Sequence, residues 1–175
     1  AEGEIYDSGS EGIVSGKLIK EIEDIKKDDK IKAVVLRVKS PGGSAFASEQ
    51  IWKALADHKK TRPLGVSMGD HAASGGYYIS SCANKIIASD NTLTGSIGIF
   101  GTFPIIDGLT NKIGIDFDVV KTNELSDIGN LTRPMTNLEK AKIQKYIERS
   151  YDLFIDRCAA GRNMDRKNIL EIAQG

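Results

Sequence analysis

The sequence predicts a single α/β domain, built as a mainly parallel sheet with flanking helices. Three observations carry that reading. Apolar β-branched runs alternate with amphipathic helical spacings along the whole chain. The run 31–38 (IKAVVLRV) is apolar almost throughout, as suits a strand buried inside a parallel sheet. Glycine-rich turns follow two of the strands, after Val38 and after Met68, where open parallel sheets hold their ligands. A length of 175 residues suits one domain with a substantial core. No repeat, low-complexity tract or linker divides it.

In chain order, residues 5–6 form a short strand and residues 8–16 a glycine-rich loop. Leu18, Ile22 and Ile25 mark an amphipathic helix by their spacing of four and three. The strand 31–38 ends at Ser40-Pro41-Gly42-Gly43, a turn by composition. Ser44 caps the next helix, whose inner face holds Ala47, Ile51, Ala54 and Leu55. A strand over 63–69, a helix over 74–83 and a strand over 85–88 follow. Residues 92–98 read as a glycine-punctuated loop, then come a helix near 105–113 and a strand near 117–120. Thr136 and Glu139 form a capping box. It opens a long helix with Ile143, Ile147, Tyr151, Phe154 and Cys158 on one stripe, closed by Gly161. Asp165 starts a last short helix.

Lys plus Arg and Asp plus Glu both number 24, so the formal net charge is zero. That balance argues against nucleic acid or an anionic membrane surface as the main partner. No apolar run approaches the ~18 residues that span a bilayer, and the start shows no signal-peptide pattern. These absences describe this chain only. Cys82 and Cys158 make no disulfide framework and sit in no Cys/His cluster; they read as small buried residues on helices. No metal and no cofactor is implied.

The two glycine turns can do chemistry. A hydroxyl nucleophile needs exposure at a sharp turn, a base, and donors for the developing oxyanion. Ser74, in Ala72-Ala73-Ser74-Gly75-Gly76-Tyr77, stands where a strand hands over to a helix. Free N–H groups and the positive dipole end favour negative charge there. Gly75 N–H is adjacent to the serine, and the Gly42-Gly43 turn offers a second backbone donor. One such donor is worth about 3 kcal/mol. A serine before glycines is also an ordinary N-cap in a tight turn, and both readings stay open on the motif alone. The pattern is not the G-x-S-x-G elbow, because Ala72 replaces the first glycine.

The base is harder to find. His71 lies three residues before Ser74 on an extended segment, so the two point to opposite faces. His58 lies in the polar helix end Asp57-His58-Lys59-Lys60 and reads as solvated. No histidine follows Ser74. Ser-Lys dyads are a known alternative. A free lysine with pKa ~10.4 is neutral only about once in 2,500 at pH 7. Burial has to lower that value by about three pH units, at about 4 kcal/mol. Lys85 lies past the helix that starts at Ser74, about 15 Å along its axis. Lys17, Lys20, Lys26, Lys27, Lys59 and Lys60 lie on charged faces or ends, and Lys112 at a polar helix end. Lys121 is the one plausible by position, with a surface role as its alternative.

These residues resemble a family. Ala33-Val34-Val35-Leu36-Arg37-Val38-Lys39-Ser40-Pro41-Gly42-Gly43-Ser44 is similar to the first glycine turn of signal peptide peptidase A (protease IV). Ser67-Met68 through Ala72-Ala73-Ser74-Gly75-Gly76-Tyr77-Tyr78-Ile79-Ser80 resembles its nucleophile motif, and Leu93-Thr94-Gly95-Ser96-Ile97-Gly98-Ile99-Phe100-Gly101 its third block. The closing Ile172-Ala173-Gln174-Gly175 matches as well. The resemblance implies a Clp protease/crotonase-like fold and degradation of signal peptides after their release from preproteins. It implies Ser74 as nucleophile, Gly43 and Gly75 as oxyanion donors, and Ser96 as the serine that orients the lysine amine. It also implies a homo-oligomer, a tetramer, and a parent protein at the inner membrane with this domain on the periplasmic side. Any membrane contact would then run through a segment absent here.

One departure stands out. Short, single-repeat members carry the base lysine in a Lys-Asp-containing loop. Here the place reads Glu124-Leu125-Ser126-Asp127-Ile128, with Ser126 where the lysine would be. In long, tandem-duplicated members the C-terminal repeat carries the serine and the N-terminal repeat the lysine. The expectation is therefore that residues 1–175 are a C-terminal repeat, cut at both ends, holding half an active site. A crotonase-like acyl-CoA enzyme and a non-catalytic scaffold repeat remain as alternatives.

Overall fold

Three strands pair in parallel with one long central strand. The computed structural model describes residues 1–174, so Gly175 lies outside the described residues. The elements are β1 Ile5–Tyr6, β2 Ile13–Val14, α1 Ser15–Lys27, β3 Val34–Ser40, α2 Ala45–Lys59, β4 Leu64–Ala73, α3 Gly75–Ser80, β5 Lys85–Ile87, β6 Leu93–Gly95, α4 Asp107–Lys112, α5 Asn137–Arg162 and α6 Arg166–Ile172. Every recorded pairing among the described residues is parallel, β1 with β2 included. Contacts gather into two compact units, Ala1–Ile99 with the segment from Ser150 onward, and Phe100–Arg149.

In the first unit β4 is the axis. Its first half pairs with β3 from Val34↔Leu64 to Val38↔Met68, and with β5. A register shift after Val38 lets Ser40 reach Ala72, and β6 joins on the other side of that residue through Ala72↔Thr94. Both neighbours therefore end beside the end of β4. The inward residues of β3 and β4, among them Val38, Leu64 and Val66, are buried with Ile51 and Leu55 of α2 and Phe154 and Ile155 of α5. α2 follows the sequence closely. Ser44 Oγ accepts the Ala47 N–H at 3.2 Å, and Ala47, Ile51 and Leu55 are buried.

Several expectations change. The loop 8–16 is shorter, because β2 and the start of α1 occupy its end. The strand 63–69 runs on to Ala73, and residues 93–95 of the expected loop form β6, since the end of β4 offers them a ladder. Gly161 does not close α5; it lies inside the helix. The stop is Asn163 at φ 51, with Met164 N–H donating to Ala159 O at 3.0 Å in a Schellman arrangement.

His58 is the sharpest reversal. It is 1% exposed rather than solvated, and neither ring nitrogen has a hydrogen-bond partner among the described residues. The polar run 57–60 misled because only one side of α2's last turn faces water. Burial, then the charges of Arg62 and Lys26, push its pKa below the usual 6.5. The unfolded chain therefore takes up a proton more readily as pH falls. Stability is complete above about pH 6.5 and declines below it. We expect His58→Leu to flatten the urea midpoint between about pH 7 and pH 5 and to raise stability by about 1–2 kcal/mol, because no unpaired polar atoms stay buried.

The second unit holds α4 and the first half of α5. The strand expected near 117–120 does not form: with no neighbour to pair, Phe117, Val119 and Val120 stay exposed. The capping box is complete. Thr136 N–H donates to Glu139 Oε2 at 2.7 Å and Glu139 N–H to Thr136 Oγ1 at 3.2 Å. Arg133 grips Glu139 with two bonds of 2.8 and 2.6 Å and reaches Asp127, which also accepts from Lys121 at 2.9 Å. Arg133, then the Thr136 amide, hold the Glu139 carboxyl down to about 2. A carboxylate held low stabilises above its ordinary value near 4.5 and loses that support as pH falls towards 2. Protection of the Glu139 amide relative to its intrinsic exchange rate should fall over that window, and Glu139→Gln should remove the part of that fall due to this carboxyl.

Candidate active site

Ser74 occupies a strained turn. Its backbone lies at φ 50, ψ −118, a conformation that costs a non-glycine residue about 1–3 kcal/mol. Two bonds impose it. Ser74 N–H donates to Gly95 O at 2.9 Å, and Ser74 O accepts the Tyr78 N–H at 2.8 Å. The first ties Ser74 to β6 and the second to the opening turn of α3. Its side chain makes no capping bond, so the hydroxyl is not spent as an N-cap.

The first glycine turn presses on this serine. A Cβ placed on Gly42 would stand 2.8 Å from Ser74 Cβ, 3.1 Å from Ser74 Oγ and 2.7 Å from Gly75 N. Gly42 also sits at φ +106, which favours glycine on its own. Sequence reasoning singled out Gly43 and Gly75 and missed Gly42 as the residue in contact; the doubled glycine was the available signal.

The amides divide clearly. Gly42 N–H donates to the buried Ser40 Oγ at 3.1 Å. Gly43 bridges Ile5, but that bridge uses Ile5 N–H to Gly42 O and Ser44 N–H to Ile5 O, both 2.8 Å. Gly43 N–H is therefore left out of it. Gly75 is the first residue of α3 and has no acceptor within the helix. Neither amide has an acceptor among the described residues, so both are available to an incoming oxyanion.

Ser96 follows Gly95, the register partner of Ala73, so the ladder sets it one step past Ser74's anchor. It too has φ 50, it is exposed, and its hydroxyl has no partner among the described residues. His71 Nδ1 faces Asp70 Oδ1 at 3.1 Å. Lys121, in the other unit, is engaged with Asp127. Ser126 Oγ accepts the Asn123 N–H at 3.0 Å and closes a local turn. Burial raises the thiol of Cys82 to about 11 and that of Cys158 to about 12, so both stay protonated near neutral pH.

This architecture has a solved counterpart. A ClpP1 mutant of Listeria monocytogenes matches with a TM-score of 0.59 over 97% of this chain and 74% of that one, at 15% identity. The fold is therefore that of the Clp protease class. Sequence narrows it further. The pattern of peptidase family S49 matches residues 56–175, and the chain belongs to that family. Protease 4 of Haemophilus influenzae is 41% identical over 99% of this chain and 28% of its own length. Protease 4 of Salmonella typhi is 46% identical over 89% of this chain and 25% of its own. The chloroplastic serine protease SPPA of Arabidopsis thaliana is 35% identical over 99% and 26%. The chain thus spans about a quarter of the length of these relatives. No helix among the described residues is long and apolar enough to cross a membrane.

Proposed function

We propose that residues 1–175 are the nucleophile-bearing peptidase domain of a serine endopeptidase of the Ser-Lys type, which degrades signal peptides after their release. The observation that carries this reading is the strained Ser74 turn, pressed by Gly42 and flanked by the unspent amides of Gly43 and Gly75. Ser74 Oγ attacks the peptide carbonyl carbon while its proton passes to a neutral lysine amine. The oxyanion accepts from Gly43 N–H and Gly75 N–H. Collapse breaks the C–N bond, and the leaving amine takes the proton from the lysine. Water, deprotonated by the same lysine, then cleaves the acyl ester. Ser96 orients the lysine amine.

The lysine comes from an N-terminal repeat of the same protein. Ser126 at the place of the family's base, and relatives about four times as long as this chain, support that division. The parent works as a homo-oligomer at the inner membrane, with this domain on the periplasmic side.

The test mixes this chain with the N-terminal repeat and measures hydrolysis of a peptide ester. The mixture should turn over, and either part alone should not. Ser74→Ala should silence the mixture. Full activity from the 175-residue chain alone overturns the divided site, and activity surviving Ser74→Ala overturns the nucleophile.

A further inference from the structure

The two glycine turns need a fixed separation, and one side-chain bond is placed to set it. α2 begins directly after Gly43 and its cap Ser44, while α3 begins directly after Ser74. Tyr78 on α3 is bound at both ends. Its N–H donates to Ser74 O at 2.8 Å, and its hydroxyl donates to Glu49 Oε2 on α2 at 2.6 Å. α3 has only six residues, too few to hold its own position by helix formation.

Glu49 is held in turn. Arg157 of α5 donates to it through Nε at 3.1 Å and through a second nitrogen, and lies 4.2 Å over the Trp52 ring. Trp52 Nε1 donates to Ser81 Oγ at 3.1 Å, and that hydroxyl donates to Tyr78 O at 2.8 Å. The Tyr78 ring rests on Phe154 with centroids 4.5 Å apart. The circuit closes through α2, α3 and α5, and Tyr78 is its link to the serine backbone.

We propose that Tyr78 and Glu49 are positioning residues: their hydrogen bond fixes the Ser74–Gly75 turn against the Gly43 amide. The proposal rests on Ser74 and the two amides being the active site. A displacement of about 1 Å at such a site costs on the order of a hundredfold in turnover. Tyr78→Phe removes one oxygen and keeps the ring packing. In the reconstituted enzyme it should lower kcat about ten- to a hundredfold and leave KM within about twofold. Glu49→Ala should do the same. Glu49→Gln, which still accepts from the tyrosine hydroxyl, should recover most of kcat. In the chain alone, exchange of the residue-78 amide should quicken about tenfold in Tyr78→Phe, while the buried Ile51 amide is unchanged.

An unchanged kcat in Tyr78→Phe, or unchanged exchange at residue 78 in both Tyr78→Phe and Glu49→Ala, overturns the proposal. So does equal loss in Glu49→Ala and Glu49→Gln. If Ser74→Ala retains activity, the reading of the active site fails first. If Ser74→Ala is dead and Tyr78→Phe is intact, only the positioning role fails.

Discussion

Gly42→Ala should unfold the region around Ser74 and lower peptide-ester turnover of the reconstituted enzyme by more than a hundredfold. Two costs add. The alanine would adopt φ +106, and its methyl would meet Gly75 N at 2.7 Å and Ser74 Cβ at 2.8 Å. Neither contact is a flexible side-chain tip, so one of the two turns has to move. Left-handed strain and overpacking each cost about 1–3 kcal/mol, so a total of about 2–6 kcal/mol is expected. Gly9→Ala separates the two costs, because Gly9 lies at φ +130 with nothing within 4 Å of its missing methyl. It carries backbone strain alone. Trp52, the sole tryptophan, reports urea unfolding of the unit that contains both glycines. If Gly42→Ala is no worse than Gly9→Ala and turnover persists, the close approach of the two turns is wrong.

Much of the fold and of the Ser74 turn was legible because the parts are local. Ser44 capping α2, Ser74 at a strand-to-helix junction and the Thr136–Glu139 box all follow from residues within four positions of one another. The parallel sheet was legible in the alternation of strands and helices. What stayed hidden depends on distant partners. His58 looks solvated beside Asp57, Lys59 and Lys60, and only the packing around α2 shows it buried. β6 looked like a loop because a three-residue strand is defined by its ladder to β4 rather than by its own composition. Glu49 and Arg157 carry no motif and lie 108 residues apart, so the role of Tyr78 between them could not be read from its place in the nucleophile block. The segment 117–120 failed the other way: its composition suits a strand, but pairing decides.

Gly161 illustrates the same limit and gives a prediction of opposite sign to the usual rule. A glycine inside a helix ordinarily gains about 1 kcal/mol when replaced by alanine. Here a Cβ would stand 2.1 Å from Ser81 O and 2.7 Å from Ser81 C. The glycine is the gap through which α5 approaches the end of α3. Ser81 is buried, and its hydroxyl already serves Trp52 and Tyr78, so it has little room to yield. Gly161→Ala should therefore destabilise by about 2–4 kcal/mol, the overpacking cost outweighing the helix gain. Gly16→Ala on α1, where nothing lies within 4 Å, should instead gain up to about 1 kcal/mol. Opposite shifts of the two urea midpoints, read by Trp52 fluorescence, are the expected result. Arg157 and Arg162 flank Gly161 and bind Glu49 and the Tyr77 hydroxyl, so backing α5 away should also loosen α3. Faster exchange at the Tyr78 amide in Gly161→Ala would register that loosening at the serine turn itself, whereas a stabilising Gly161→Ala would show that α5 does not pack this closely.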